Sequence, residues 1–510
     1  MKGEAKTMDI INSRRSNRGQ LANIKAPSER LRRIRAFCMS RPFMLLTALA
    51  GLIFISIQAE VAGAIFFVLL ISALLVICDD VLATTLPVLV LSISVLQCYD
   101  SFNTFIKFAG LAVIPVAALV FHFIKYRRKL QVGASVWGLI AVSLSVTLGG
   151  IGAIDVEEYI APVALYYVAG LGFGLVGAYL LIKSQIHFND DYDIREKFVD
   201  IMYIMGMFAA IHMVEIYVEW LILQPQYTTF EDIFNLIVHN DFKGDGFYYG
   251  KVQPSNNIST FIMFGLPFPF YRALKGSKGH LLSAAFMMFV LYISKSRGGL
   301  IMGGIVFLVC IFFFGVCSKS VFWKVAPIVF SSLAVGAAIA YVILNNSAES
   351  IGGIVSTEEQ RVRLIIRSFE DFFDNPLFGQ GMGNTSNSDI YSGKEGTICW
   401  YHMMIPQIIG SMGICGIVGY GIQLAVRIWL TIKKYSTFVV TLALSYFGLF
   451  MMSQVNPGEF CPIPYGLIAV ILFIMIENEP DTPPRVRVKK FKRKKSSDSA
   501  EQEELASAEN

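Results

Sequence analysis

The chain is short of charge. Of its 510 residues only 16% are Asp, Glu, Lys or Arg, while 55% are hydrophobic. Mean hydropathy is +0.57, which excludes an ordinary soluble domain. Apolar runs of about 17–25 residues, the length needed to cross a bilayer, recur along nearly the whole sequence. Lipid offers the backbone no hydrogen-bond partners, so runs this long predict helices rather than a barrel. The eight cysteines show no CxxC or other metal-ligand spacing. Cys78, Cys310 and Cys415 fall in or at the ends of apolar runs and read as packing residues. Cys399 and Cys461 share the predicted outer side, but spacing alone does not pair them. No internal repeat is visible. Arg41 leads into a span without a small-residue cleavage site, so no cleavable signal peptide is expected.

The formal net charge of +5 is not a nucleic-acid signal, because Lys and Arg gather in the first forty residues and in Arg485–Lys495. Basic ends that flank membrane spans follow from the positive-inside bias and also suit anionic headgroups. The chain divides into a basic cytoplasmic tail (1–41), a transmembrane bundle (42–477), and a basic-then-acidic cytoplasmic tail (478–510). Hydropathy predicts spans near 43–59, 61–78, 81–98, 104–124, 136–153, 160–182, 198–220, 256–272, 280–294, 298–316, 321–345, 404–426, 436–453 and 461–477. With the N-terminus inside, alternate loops are basic (Lys125–Lys129, Lys183–Lys197, Arg272–Lys278, Lys319–Lys324, Arg427–Lys434). The expected fold is therefore an all-α polytopic bundle of about fourteen crossings, with both termini cytoplasmic.

Two outer loops are long enough to carry function. One, about 224–255, holds Asp232, His239, Asp241 and Asp245. The other, about 346–402, holds Arg361, Arg363, Arg367 and His402. There Thr357-Glu358-Glu359-Gln360 has capping-box spacing and predicts a helix start, and Asn375-Pro376 predicts its end. Val362, Ile365, Ile366, Phe369, Phe372 and Phe373 form its apolar face. Arg363, Arg367, Glu370, Asp371 and Asp374 form the polar face, with Arg367 and Asp371 at i,i+4 pairing distance. Arginine binds phosphate bidentately and keeps its charge, and histidine moves protons near neutral pH. Further back, Pro254-Ser255-Asn256-Asn257 opens one span and Ser296-Arg297 another at the same predicted depth. Free N–H groups and asparagine amides there suit an anion or sugar hydroxyls, although a helix cap is the ordinary explanation.

These residues, in this order, resemble the O-antigen ligase and polymerase family. Pro254-Ser255-Asn256-Asn257 and Ser296-Arg297-Gly298-Gly299 look like its core. Arg361 ahead of Asn375-Pro376-Leu377-Phe378-Gly379-Gln380-Gly381-Met382-Gly383-Asn384 is similar to the family's arginine and NPLxGxGxGN stretch. His402 ahead of Gly413-Ile414-Cys415-Gly416 is similar to the ligases' histidine and GxxG. The resemblance covers about residues 250–425. One position departs: Met403 stands where ligases place Asn, Ser or Gln.

The resemblance implies transfer of a glycan from a polyprenyl-pyrophosphate carrier to a sugar hydroxyl, at the outer face of a bacterial cytoplasmic (inner) membrane. His402 would be the catalytic base. Arg297, Arg361, Arg363 and Arg367 would bind pyrophosphate, while Asn256, Asn257, Ser296 and Asn384 would contact glycan or shape the site. No DxD motif occurs in the outer loops, so no metal and no cofactor is expected. The partners would be the lipid-linked donor, the glycan acceptor, membrane lipids and a chain-length regulator, with no nucleic acid. Polymerisation of lipid-linked repeat units is the leading expectation. Transfer of finished glycan to a lipid or protein acceptor is the alternative, and a lipid-linked oligosaccharide flippase or exporter is the alternative from another class.

Overall fold

The computed structural model describes residues 29–57, 59–96, 109–152, 161–186, 192–223, 229–233, 255–294, 296–325, 329, 348–384, 390, 401–456, 458–460 and 463–482. No β-strand occurs among them. The first half of the chain supplies α1 (Glu29–Cys38), α2 (Arg41–Ser56), α3 (Glu60–Ile77), α4 (Thr85–Leu96), α5 (Val113–Lys125) and α6 (Ser135–Leu148). Next come α7 (Ala161–Tyr167), a π-helical turn (Val168–Gly174), α8 (Leu175–Gln185) and α9 (Ile194–Leu223). The second half supplies α10 (Ser255–Gly265), α11 (Pro267–Lys275), α12 (His280–Ile293), α13 (Arg297–Cys317) and α14 (Ala348–Asp374). It closes with α15 (Met404–Lys433), α16 (Thr437–Met452) and α17 (Ile463–Asn478).

Every predicted span except 321–345, most of which lies outside the described residues, coincides with helix. Among the described residues four helices are long and apolar enough to cross a membrane: Ala164–Gln185, Ile194–Glu219, Gly298–Cys317 and Met404–Lys433. A fifth arises if α1 and α2, bent by 62°, count as one span. Seven further apolar helices are 10–17 residues long. Many large apolar side chains point outward from the bundle, as helices in lipid require (Leu45, Leu69, Val120, Ile301, Val418).

The predicted span 256–272 is in fact two helices. Pro267 lacks the N–H that a continuous helix would use, and the chain restarts there as α11. Close packing of α9 on α10 is set by Gly206 and Gly265. A Cβ on Gly206 would lie 2.6 Å from Gly265 Cα, so the backbones touch as small residues allow in membrane bundles.

The segments read as basic inside loops gather at one end of the bundle. Arg272 of α11 bonds both Glu196 and Asp200 of α9. Lys183 meets Glu477 at 2.9 Å, and Arg195 meets Glu479 at 2.7 Å. We call this the basic end. Elsewhere residues 150–151 meet 376–381, residue 256 meets 296, and the 453–455 loop touches both 298 and 404; we call this region the motif end.

Candidate functional site

The motif end is built on a broken helix. Gly413 inside α15 has φ 57° and ψ −146°, a conformation open essentially to glycine alone. The break leaves backbone groups on both sides without helical partners, and the stretch after Asn375 fills them. Gln380 N donates to Gly410 O at 2.8 Å and Gly381 N to Ser411 O at 2.9 Å. In return Ile414 N donates to Pro376 O at 2.8 Å and Cys415 N to Leu377 O at 3.1 Å. Gly379 fits because it carries no side chain: a Cβ there would lie 2.5 Å from Gly410 O, and its φ is +61°. Asn375 Nδ2 locks the turn to Gly379 O (2.9 Å) and to Ile151 O (2.8 Å). The NPLFGQGMGN stretch and the GICG stretch are therefore two halves of one interlocked backbone unit. Asn384 is buried at the end of that unit.

His402 sits where the chain enters α15. Its φ of +53° is a left-handed conformation that a non-glycine residue rarely adopts. Anchors flank it. Tyr401 N donates to Gln407 Oε1 at 3.2 Å, and Met404 N donates to Ser453 O at 2.7 Å. Met403 occupies the N-cap of α15 with no side-chain cap. The Met404 amide, one of the unpaired donors of the first helical turn, is satisfied by the Ser453 carbonyl. The imidazole is half-buried, with Nε2 closed off from solvent. Burial first, and the charge of Arg361 second, push its pKa down to about 4. His402 is therefore neutral at pH 7, with Arg361 close enough to influence its titration.

Helix α14 begins at Ala348, nine residues before the predicted capping box, so Thr357 lies inside the helix rather than at its start. The apolar residues Ile351, Ile354 and Val355 extend the helical pattern upstream of the cap signal. The predicted end at Asp374 holds. The helix presents three faces, not two. Leu364, Ser368 and Asp371 are buried, and Arg361 shares their face. Val362, Ile366, Phe369 and Phe373 form an exposed apolar stripe, with Phe373 72% exposed. Arg363, Arg367, Glu370 and Asp374 lie on the third face.

This arrangement corrects the reading of Asp371 as a solvated partner of Arg367. Arg367 instead lies 3.7 Å from Glu370, and Arg363 pairs with Glu359 at 2.7 Å. Asp371 accepts a hydrogen bond from the Tyr401 hydroxyl. Burial is the largest influence on its carboxyl, pushing the pKa up to about 6 against the opposing effects of Tyr401 and Arg367. Of the three α14 arginines, only Arg361 is brought toward His402.

The two earlier motifs also meet. Ser296 Oγ donates to Asn256 Oδ1 at 2.5 Å and accepts from Gly299 N at 2.8 Å, capping α13. Tyr465 donates to Asn257 O at 3.1 Å, and Asn257 is buried. Arg297 is the first residue of α13; its side chain lies outside the described residues. One loop borders both clusters. Val455 packs so tightly against Gly298 that a Cβ there would lie 2.7 Å from Val455 Cγ2, and Ser453 of the same loop holds Met404. Farther along this loop, Glu459 forms a buried ion pair with Arg427 at 3.1 Å, and Arg427 also bonds Tyr446. Sequence reading missed this pair because its members are 32 residues apart and individually look like ordinary helix-end charges.

No family model, curated protein or solved structure matches the chain. The family resemblance therefore rests on its motifs. Pro254, Cys399, Cys461, His239, Asp241 and Asp245 lie outside the described residues. Asp232 is described and serves as a local cap, accepting from Thr229 N at 3.1 Å and from the Thr229 hydroxyl at 2.6 Å.

Proposed function

We propose that this chain is a membrane glycosyltransferase that polymerises polyprenyl-pyrophosphate-linked oligosaccharide repeat units of a surface polysaccharide. The motif end would face outward from a bacterial cytoplasmic membrane, with both termini inside. The observation that carries the proposal is the convergence at His402. A neutral imidazole in a strained turn, an arginine acting on it, and a glycine-shaped backbone unit come from three separate motifs.

The chemistry follows from those groups. The acceptor hydroxyl oxygen attacks C1 of the donor sugar while the C1–O bond to pyrophosphate breaks, which inverts C1. His402 takes the hydroxyl proton, and Arg361 stabilises the charge growing on the leaving polyprenyl pyrophosphate. A bound pyrophosphate also offsets the Arg361 charge at His402, raising the imidazole's basicity when the donor is in place. The apolar stripe of α14 continues through Leu377 to Ile414, Ile417 and Val418 of α15, all exposed. We place this continuous stripe in the outer leaflet, with Arg361 at headgroup level.

The test is the lipid-linked glycan pool in cells carrying His402→Ala at normal expression, sized by mass spectrometry after release from the carrier. Single repeat units facing outward support polymerisation. Long lipid-linked polymer identifies the ligase reaction instead. A normal pool with normal surface polysaccharide removes His402 from the chemistry and favours a flippase.

A further inference from the structure

We infer that Asp371 is a positioning residue that holds the His402 turn in its left-handed conformation through Tyr401. The inference rests on the reading of His402 as the base. Tyr401 and Asp371 are both buried, at 2% and 4% exposure, and their hydrogen bond joins α14 to the residue immediately before His402. Tyr401 has little freedom elsewhere. Its ring lies against Gly410, where a Cβ would come within 2.5 Å of Cζ, and its N–H is held by Gln407. Gln407 is in turn fixed by a 2.7 Å bond to Ser411 Oγ.

A non-glycine residue at φ +53° keeps that conformation only if its surroundings impose it. The Tyr401 anchor on one side and the Met404–Ser453 bond on the other supply that constraint. Arg361 leaves the same face of α14 as Asp371, ten residues or nearly three turns earlier. The Asp371–Tyr401 bond therefore also fixes the register between the arginine-bearing helix and the histidine-bearing turn. Burying a carboxyl to hold a tyrosine is unfavourable for the carboxylate, and the upward shift of Asp371 reflects that cost. The charged groups around it are Arg367, Asp374 and Glu370 on its own helix, facing Tyr401 on the other side.

The experiment uses the full-length chain in nanodiscs with Tyr401→Phe, Asp371→Leu and Asp371→Asn. Two quantities are read: transfer rate, and the rate of His402 carbethoxylation mapped by mass spectrometry. Asn keeps an oxygen acceptor for the Tyr401 hydroxyl, so Asp371→Asn should stay within about threefold of the parent in both readouts. Tyr401→Phe and Asp371→Leu should lower kcat about 10–100-fold with little change in donor KM, and speed His402 modification several-fold. Unchanged His402 reactivity in Tyr401→Phe overturns the inference, whatever the activity does. So does a loss in Asp371→Asn as deep as in Asp371→Leu, because the carboxylate charge rather than the bond would then matter. Faster His402 modification with full transfer activity supports the latch while refuting His402 as the base.

Discussion

The two ends of the bundle use their cations differently. At the basic end, positive charges are matched to carboxylates on neighbouring helices. Arg272 serves two carboxylates at once, and Lys183 and Arg195 each hold a buried glutamate. At the motif end, among the described residues Arg363 pairs only with Glu359, one turn away on its own helix, with both side chains well exposed. Arg361 has no carboxylate partner among the described residues. Ion pairs between helices fix how the helices sit, whereas exposed i,i+4 pairs add only a few tenths of a kcal/mol. Stability accounts for the charge at the basic end. It does not account for Arg361, and the proposed pyrophosphate ligand would.

The buried Arg427–Glu459 pair is the extreme of the matched kind, so it should show the largest effect on folding. Glu459→Gln leaves the Arg427 charge buried without a counter-charge, and a loss of about 3–5 kcal/mol is expected. Thermal unfolding in detergent measures it. The double variant Arg427→Met/Glu459→Gln should recover much of that loss. A single variant as stable as the parent would remove the pair as the anchor of the 453–460 loop. The direct contrast between the ends comes next. Arg361→Ala should cut transfer about 10²–10³-fold with an unchanged thermal midpoint. Arg272→Ala should lower the midpoint while the surviving folded protein keeps its turnover. The reverse pattern would exchange the roles assigned to the two ends.

The helices were largely legible because hydropathy over a long window reports burial in lipid or protein. Their breaks were not. The window covering 256–272 averages over Pro267, and the one covering 404–426 averages over Gly413. Within the site, His402, Arg361 and the glycine-rich stretch could be read as motifs, because each is local in sequence. Asp371 could not: its spacing from Arg367 fits a solvent-facing pair, and its actual partner is thirty residues away. The capping box misled for a related reason, since a cap signal has meaning only where no helix already precedes it. Met403 marked a departure from the ligase pattern without showing that Ser453, about fifty residues later, receives the adjacent Met404 amide.

The break in α15 offers a further separation of the ends. Gly413→Ala forces a side chain into a glycine-only conformation and against the Pro376 carbonyl, so about 2–3 kcal/mol should be lost. Hydrogen exchange should locate the loosening at 376–381 and 410–415, leaving the basic end protected. Loss of protection at both ends alike would mean that the ends fold as one unit.

Titration gives a subtler contrast inside the site. His402 has a folded pKa below its usual value, so its contribution to stability is present above about 6.5 and is lost as pH falls toward 4. Asp371 runs the other way: its contribution is present below about 3.8 and is lost as pH rises through 6. Between pH 4 and 6 the two slopes oppose, and the parent's stability should vary little from this pair. His402→Ala should uncover a fall with rising pH, and Asp371→Asn a fall with dropping pH. In kinetics, the acidic limb of kcat/KM reports the free enzyme and should lie near pH 4, while that of kcat should lie higher once pyrophosphate offsets Arg361. Coincident limbs would show that the donor leaves His402 electrostatically untouched.

The smallest expected effect tests how local the motif end is. The family resemblance implies a phosphate-binding role for Arg363 beside Arg361, but Arg363 lies on a different face of α14 and pairs with Glu359 at 2.7 Å. Arg363→Ala should change stability by less than about 0.5 kcal/mol and turnover by less than about threefold. A loss of thirtyfold or more would put the pyrophosphate on the polar face of α14. That face is not the one that carries Arg361, so the case for Arg361 as the principal phosphate cation would fall.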